Sequence, residues 1–110
     1  MTADGILISP NFPNKYPNNI QKERKTIRGG PGTVLVIEFL KFKIEKSAKC
    51  RSDYLQIIDG DGQALTEKMC GNSKPVKITS RTNTAHIEFK TNRKGRQMGW
   101  KLKWVENPCE

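Results

Sequence analysis

Between Thr33 and Ile44 apolar residues recur at every second position. Leu35, Ile37 and Phe39 fall on one face, Val34 and Val36 on the other, and Phe42 and Ile44 resume the first set after a phase shift near Leu40. A period of two belongs to a β-strand, and no comparable 3.6-residue pattern occurs elsewhere in the chain. The phase shift predicts a β-bulge near Leu40. The 9 Gly and 6 Pro punctuate short apolar runs about every ten residues. That spacing predicts an all-β chain, an antiparallel β-sandwich.

The other strands follow from the same pattern. Ile6–Ser9 reads as a short first strand. The next ten residues, with three prolines and four asparagines, read as a loop in which Phe12 and Tyr16 fold back as anchors. Lys22–Arg28 is too highly charged for a central strand and is expected at a sheet edge. Tyr54–Asp59 should point Leu55 and Ile57 inward and end in the turn Asp59-Gly60-Asp61-Gly62. That turn lacks the remaining ligand positions and the closing Glu of an EF-hand. Val76–Ser80 is a further strand. Ala85–Thr91 places Ile87 and Phe89 inside, with His86, Glu88 and Lys90 outside. Trp100–Trp104 turns both tryptophans and Leu102 inward, and a tail is expected over 106–110.

The stretch from Ile44 to Gly60 holds the candidate site. Two carboxylates, Glu45 and Asp53, flank Cys50 in a short basic loop between two strands. Three cysteines and no C-x-x-C, with His86 the single histidine, argue strongly against a structural zinc site. One bridge and one leftover thiol is the natural count. Pairing Cys50 with Cys70 would close a ring of about 20 residues, worth roughly 3 kcal/mol on the chain-entropy model. Cys109 is then either a free thiol on the tail or the first cysteine of a following module. The 110 residues make one domain. No apolar run reaches 18 residues, so no transmembrane helix is expected. Met1–Gly5 has neither the basic start nor the apolar core of a signal peptide, and the chain reads as a mature segment with an added Met. A net charge of +9 suits an anionic partner.

The ordered set of motifs carries more than any one of them. Gly5 and Ser9-Pro10-Asn11-Phe12-Pro13-x-x-Tyr16-Pro17 are followed by Phe39-x-x-Phe42-x-Ile44-Glu45. Then come Cys50-x-x-Asp53-Tyr54-Leu55-x-Ile57-x-Asp59-Gly60, Cys70-Gly71, Ser80-x-x-Asn83, Phe89 and Gly99-Trp100. From Gly5 to Trp104 the chain resembles a CUB domain, a module of complement, tolloid and astacin proteases and of spermadhesins. The resemblance implies a CUB-type jelly-roll sandwich over 1–105, a secreted or extracellular setting, and a non-catalytic role in a larger secreted protein, a protease being one such parent. The family's usual N-terminal cysteine pair is absent. Arg24 stands where a tryptophan is usual, and Arg51-Ser52 lacks an aromatic that often precedes the aspartate.

Many CUB domains bind calcium through a Tyr, a Glu and two Asp residues, and partners dock beside the ion. By that resemblance the ligand positions here are Tyr16, Glu45, Asp53 and Asn92, with Asn92 in place of an aspartate. An asparagine offers an oxygen without charge, and Lys46, Arg51, Arg93 and Lys94 nearby oppose a cation further, so any calcium affinity is expected to be weak. Ion pairs from Glu45 and Asp53 to Arg93 or Lys94 are the plain structural alternative.

The leading expectation is recognition of an extracellular protein partner at the Glu45/Asp53 edge. The alternative is a polyanion, above all a glycosaminoglycan. Its candidate clusters are Lys22, Arg24, Lys25 and Arg28; Lys41, Lys43, Lys46, Lys49 and Arg51; and Arg93, Lys94 and Arg96 with Lys101 and Lys103. A free-standing spermadhesin-like lectin shares the same fold. Nucleic acid is disfavoured because the aromatics alternate into the core and leave no stacking platform. No catalytic constellation is visible: His86 reads as a surface residue.

Overall fold

A computed structural model describes residues 3–20, 22–72, 74–92 and 97–108. The strands are β1 Asp4–Ile8, β2 Glu23–Arg28, β3 Thr33–Lys43, β4 Tyr54–Asp59, β5 Ile78–Thr79, β6 Thr84–Lys90 and β7 Gly99–Pro108, with a 3₁₀ turn at Ala48–Cys50. They form two antiparallel sheets, one in the order β1-β7-β3-β5 and one in the order β2-β6-β4. The fold is an antiparallel β-sandwich.

The alternation of β3 explains the core. Leu35, Ile37, Phe39, Phe42 and Ile44 are all buried, and the register against β7 shifts between Phe39 and Lys41, where the bulge was expected. The shift lets one strand keep its apolar face inward across a break in the two-residue period. From the opposite sheet Leu55, Ile57, Ile87 and Phe89 meet this face. Trp100 sits between the sheets, edge-on to Phe39 and to Phe89. Among the described residues β2 pairs with β6 alone and lies at an edge, as its charge implied.

Several expectations need correction. Val76–Ser80 shortens to Ile78–Thr79, because only two residues pair with β3 and Val76 is 84% exposed. Residues 106–108, expected in a tail, are strand: Leu35 pairs with Glu106 and Thr33 with Pro108. Glu106 holds this end by accepting N–H bonds from Ala3 and Gly30. Trp104 is half-buried rather than buried, and its indole lies against Gly5, where a Cβ would come within 2.7 Å of Nε1. Glu88 points outward from the core as predicted yet is 5% exposed. It is on the central strand of its sheet, and Arg24 and Gln56 on the flanking strands close over it. Lys90 and His86 beside it are half-buried.

Asp59 accounts for the Asp-Gly and Ser-x-x-Asn motifs together. It is fully buried, and its Oδ1 accepts from Arg81 N, Thr82 N and Thr82 Oγ1. Ser80 Oγ accepts from Leu35 N, and Asn83 Nδ2 donates to the carbonyls of Gly29 and Gly30. These groups fix the turn opposite the candidate site. The Asp59 carboxylate is thereby committed to the turn itself.

Candidate functional site

The ends of β3 and β6 and the starts of β4 and β7 lie together at one end of the sandwich, so the segments that carry Glu45, Asp53 and Asn92 converge there. The loop after β1 closes over them. It is stitched down by Tyr16 N to Gln97 O (3.0 Å), Asn19 N to Asn92 O (2.7 Å) and Ile20 N to Thr91 Oγ1 (2.8 Å). Thr91 Oγ1 in turn donates to Pro17 O. Of the two aromatics expected to anchor this loop, Tyr16 is wholly buried and packs edge-on to Phe89, while Phe12 is half-buried.

Tyr16 Oη is the hub. It donates to Asp53 Oδ2 at 2.6 Å and accepts the backbone N–H of Glu45 at 3.1 Å. Asp53, 1% exposed, also accepts the backbone N–H of Asn92 on Oδ1 at 2.8 Å. Hydrogen bonds to both oxygens make burial of this carboxylate tolerable. Burial, and then the bond to Asp53, push the Tyr16 phenol well above its usual range, so it stays a neutral donor. Glu45 differs: its Oε2 is buried and has no hydrogen-bond partner. Asn18 Oδ1, in the loop above, is in the same condition. Among the described residues neither Glu45 nor Asp53 forms an ion pair. Arg93, Lys94 and Arg96 lie outside the described residues, and so does Cys109.

The loop between the two carboxylates is fixed by covalent and backbone constraints. Cys50 and Cys70 form a disulfide with a Cα–Cα distance of 5.5 Å. Ile44 and Gly71 exchange both backbone bonds at 2.9 Å. Cys50 N and Ser52 N bond to Ser47 O and Ser47 Oγ. Lys49 and Cys50 take positive φ (54° and 51°), which turns the chain sharply. Lys46, Lys49 and Arg51 are left exposed.

The other basic candidates separate onto different faces. Lys22, Arg24 and Arg28 are exposed along the β2 edge; Lys25 is half-buried and 3.9 Å from Glu23. Lys41, Lys43, Lys101 and Lys103 belong to the other sheet, where Lys103 lies 3.6 Å from Glu38. Sequence reasoning missed Lys68, whose Nζ sits 4.7 Å from the Tyr54 ring centroid, and gave Lys90 no role. The signal for Lys90 was its parity with Glu88; Lys68 had none, because it lies in an irregular segment.

Two carboxylates and a buried phenol gathered at one end of an antiparallel sandwich define a β-module that presents a polar rim. A model of the CUB domain family matches residues 1–104, and the chain belongs to that family. Embryonic protein UVS.2 of Xenopus laevis is 35% identical over 111 residues, covering 97% of this chain and 21% of that protein. Cubilin of Canis lupus familiaris is 35% identical over 91 residues, covering 81% of this chain and 2% of that protein. The chain therefore spans only a small share of these relatives. The CUB1-EGF-CUB2 region of human MASP-1/3 superposes with a TM-score of 0.86 over 96% of this chain and 42% of that one, at 22% identity, a likeness of fold. A crystal structure of the MASP-1 CUB2 domain bound to Ca2+ matches with a TM-score of 0.82 at 28% identity, over 92% of this chain and 90% of that one. CUB domains are non-catalytic modules of extracellular proteins. No helix of the described residues is long and apolar enough to cross a membrane.

Proposed function

We propose that the rim is a recognition edge for an extracellular protein partner, and that it holds calcium through Glu45 and Asp53, with Tyr16 and Asn92 beside them. The observation that carries this reading is Glu45 Oε2, a buried carboxylate oxygen with no hydrogen-bond partner, on a residue tied through its backbone N–H to the same Tyr16 Oη that serves the buried Asp53 carboxylate. The donors are all oxygens, which suits a hard cation. A bound calcium would supply positive charge between two carboxylates and an open position for an oxygen of the partner. Tyr16 would orient Asp53 rather than donate charge. With two carboxylates only, the expected affinity falls in the weak range of extracellular sites, about 10⁻⁴–10⁻³ M. The exposed Lys46, Lys49 and Arg51 around the rim favour a partner with an acidic surface.

Calorimetry of calcium into chelator-treated protein tests this. Saturable heat is expected, abolished in the isosteric variant Glu45→Gln, with circular dichroism confirming that the variant is folded. Absence of heat at millimolar calcium in the unmodified chain overturns the calcium reading.

A second reading, binding of a polyanion, is favoured by the net charge of +9 and by the exposed cations at the β2 edge, Lys22, Arg24 and Arg28.

A further inference from the structure

The outward face of the three-stranded sheet carries cations that arrive from four separate segments. Arg24 of β2 is paired in register with Glu88 of β6, and Glu88 with Gln56 of β4. One row along, Lys90 of β6 is opposite Tyr54 of β4. Beyond β4, the segment that bridges Leu55 through Met69 brings Lys68 over the Tyr54 ring. Lys68 and Gln56 then line one shallow depression together with Lys49 of the 3₁₀ turn. Arg24, Lys90, Lys68 and Lys49 thus run across the strands rather than along one. With strands about 4.8 Å apart, the row spans on the order of 15 Å.

We propose that a sulfated glycosaminoglycan lies across this sheet, its sulfates held by Arg24, Lys90, Lys68 and Lys49. The proposal rests on the polyanion reading and assigns it a place. Glu88 is buried and already bonded to Arg24 at 3.1 Å, so it repels an anion little, and Lys49 and Lys68 outweigh Glu67 in the depression. Arg24 is held by Glu88 with its side chain still 48% exposed, which presents part of the guanidinium fork in a fixed direction. Between the cations lie Gln56, Glu88 and Tyr54, the last of them buried. The large exposed apolar side chains Ile6 and Ile8 are on the other sheet, interleaved with Lys101 and Lys103 across β7, a surface that suits protein better than glycan. Nucleic acid fits poorly, because Tyr54 is 3% exposed and leaves bases nothing to stack on.

The test uses a heparin-derived decasaccharide in chelator-containing buffer, with two triple variants of equal charge loss. Lys49→Gln/Lys68→Gln/Lys90→Gln strips the proposed row. Lys41→Gln/Lys43→Gln/Lys101→Gln strips the other sheet. Arg24 is left intact because its loss would orphan buried Glu88 and confuse stability with binding. The first triple should weaken binding by roughly tenfold or more and reduce the salt slope by about 2–3, at about 0.7–0.9 per lost contact. The second should weaken it by less than about threefold, through long-range charge alone. Equal weakening by both, or more by the second, overturns the place while leaving polyanion binding standing. Elution of the unmodified protein from heparin below roughly 0.3 M salt overturns both. Should the first triple fail to fold, amide shifts of the unmodified protein decide: perturbation centred on Lys49, Gln56, Lys68 and Lys90 supports the proposal, and perturbation centred on Lys41 and Lys101 sinks it.

Discussion

A single hydroxyl holds the rim together. Tyr16 Oη serves the Asp53 carboxylate and the Glu45 amide at once, so Tyr16→Phe strands a buried anion and a backbone donor. Bonds to charged groups are worth about 1.5–3 kcal/mol when only one partner is removed. We expect Tyr16→Phe to cost about 2–3 kcal/mol in chemical denaturation, with calcium heat lost as well. The same burial gives a pH signature. The Tyr16 phenol is held above its usual value first by burial and then by Asp53. Below the ordinary phenol pKa of about 10 it is neutral in both folded and unfolded chains. Above that, the unfolded chain ionises first, so stability declines as pH rises. Absorbance at 295 nm should show the Tyr16 titration only together with unfolding; a separate reversible titration in the folded state would refute it. Gly99 is a second residue of this kind. Its φ is +93°, and a Cβ there would collide with Ser9 Oγ, which accepts the Trp100 N–H. Gly99→Ala should therefore destabilise by about 2 kcal/mol or more, read as a fall in Tm.

Two elements depend on pairs rather than on single groups. β2 carries Arg24 where the family usually has a tryptophan, and Arg24 lies on the outward face, bonded to Glu88. The arginine thus takes a polar route to covering β6. Removing Arg24 alone leaves a buried anion unpaired, whereas neutralising both partners together costs little. Arg24→Met should destabilise markedly, and Arg24→Met/Glu88→Leu should recover most of the loss. A double-mutant cycle without coupling would contradict this. The 44–53 loop has few strand bonds of its own and depends on the Cys50–Cys70 bridge. Replacing both cysteines by serine should cost roughly 3 kcal/mol and weaken calcium binding through loss of loop order.

At the scale of the whole molecule, β7 is the member that joins everything. It pairs with both β1 and β3 and supplies Trp100 and Leu102 to the core. Its last residues bind β1 and the β2–β3 turn together through Glu106, whose carboxyl is held below the usual range by N–H bonds from Gly30 and Ala3. Deleting residues 106–110 should lower Tm by several degrees, and the contribution of Glu106 should fade as pH drops below the usual carboxylate range. An unchanged Tm would mean that residues 106–110 add nothing to the energetics of the domain expected over 1–105. The two candidate binding regions, the oxygen-lined rim at one end and the cation row on a sheet face, meet at Lys49 of the 44–53 loop.

What the sequence determined by itself was everything that repeats at short range. The two-residue period specified β3, β4, β6 and most of β7, the bulge near Leu40, and which side chains enter the core. The ordered motifs marked the family and drew Tyr16, Glu45, Asp53 and Asn92 into one set. Tertiary structure decided what depends on partners distant in the chain. Glu88 is buried because Arg24, 64 residues earlier, closes over it, and no local pattern carries that information. Val76 left the strand because β3 offers β5 only two pairing positions. Residues 106–108 joined β7 because β3 extends back to Thr33 and needs a partner there. The basic residues formed clusters when counted along the chain, but strand register redistributed them. It placed Lys90 on the same face of the three-stranded sheet as Arg24 and set Lys41 and Lys101 on the other sheet. Alternation fixes which face a side chain takes within its strand, and only the pairing of strands fixes which other side chains share that face.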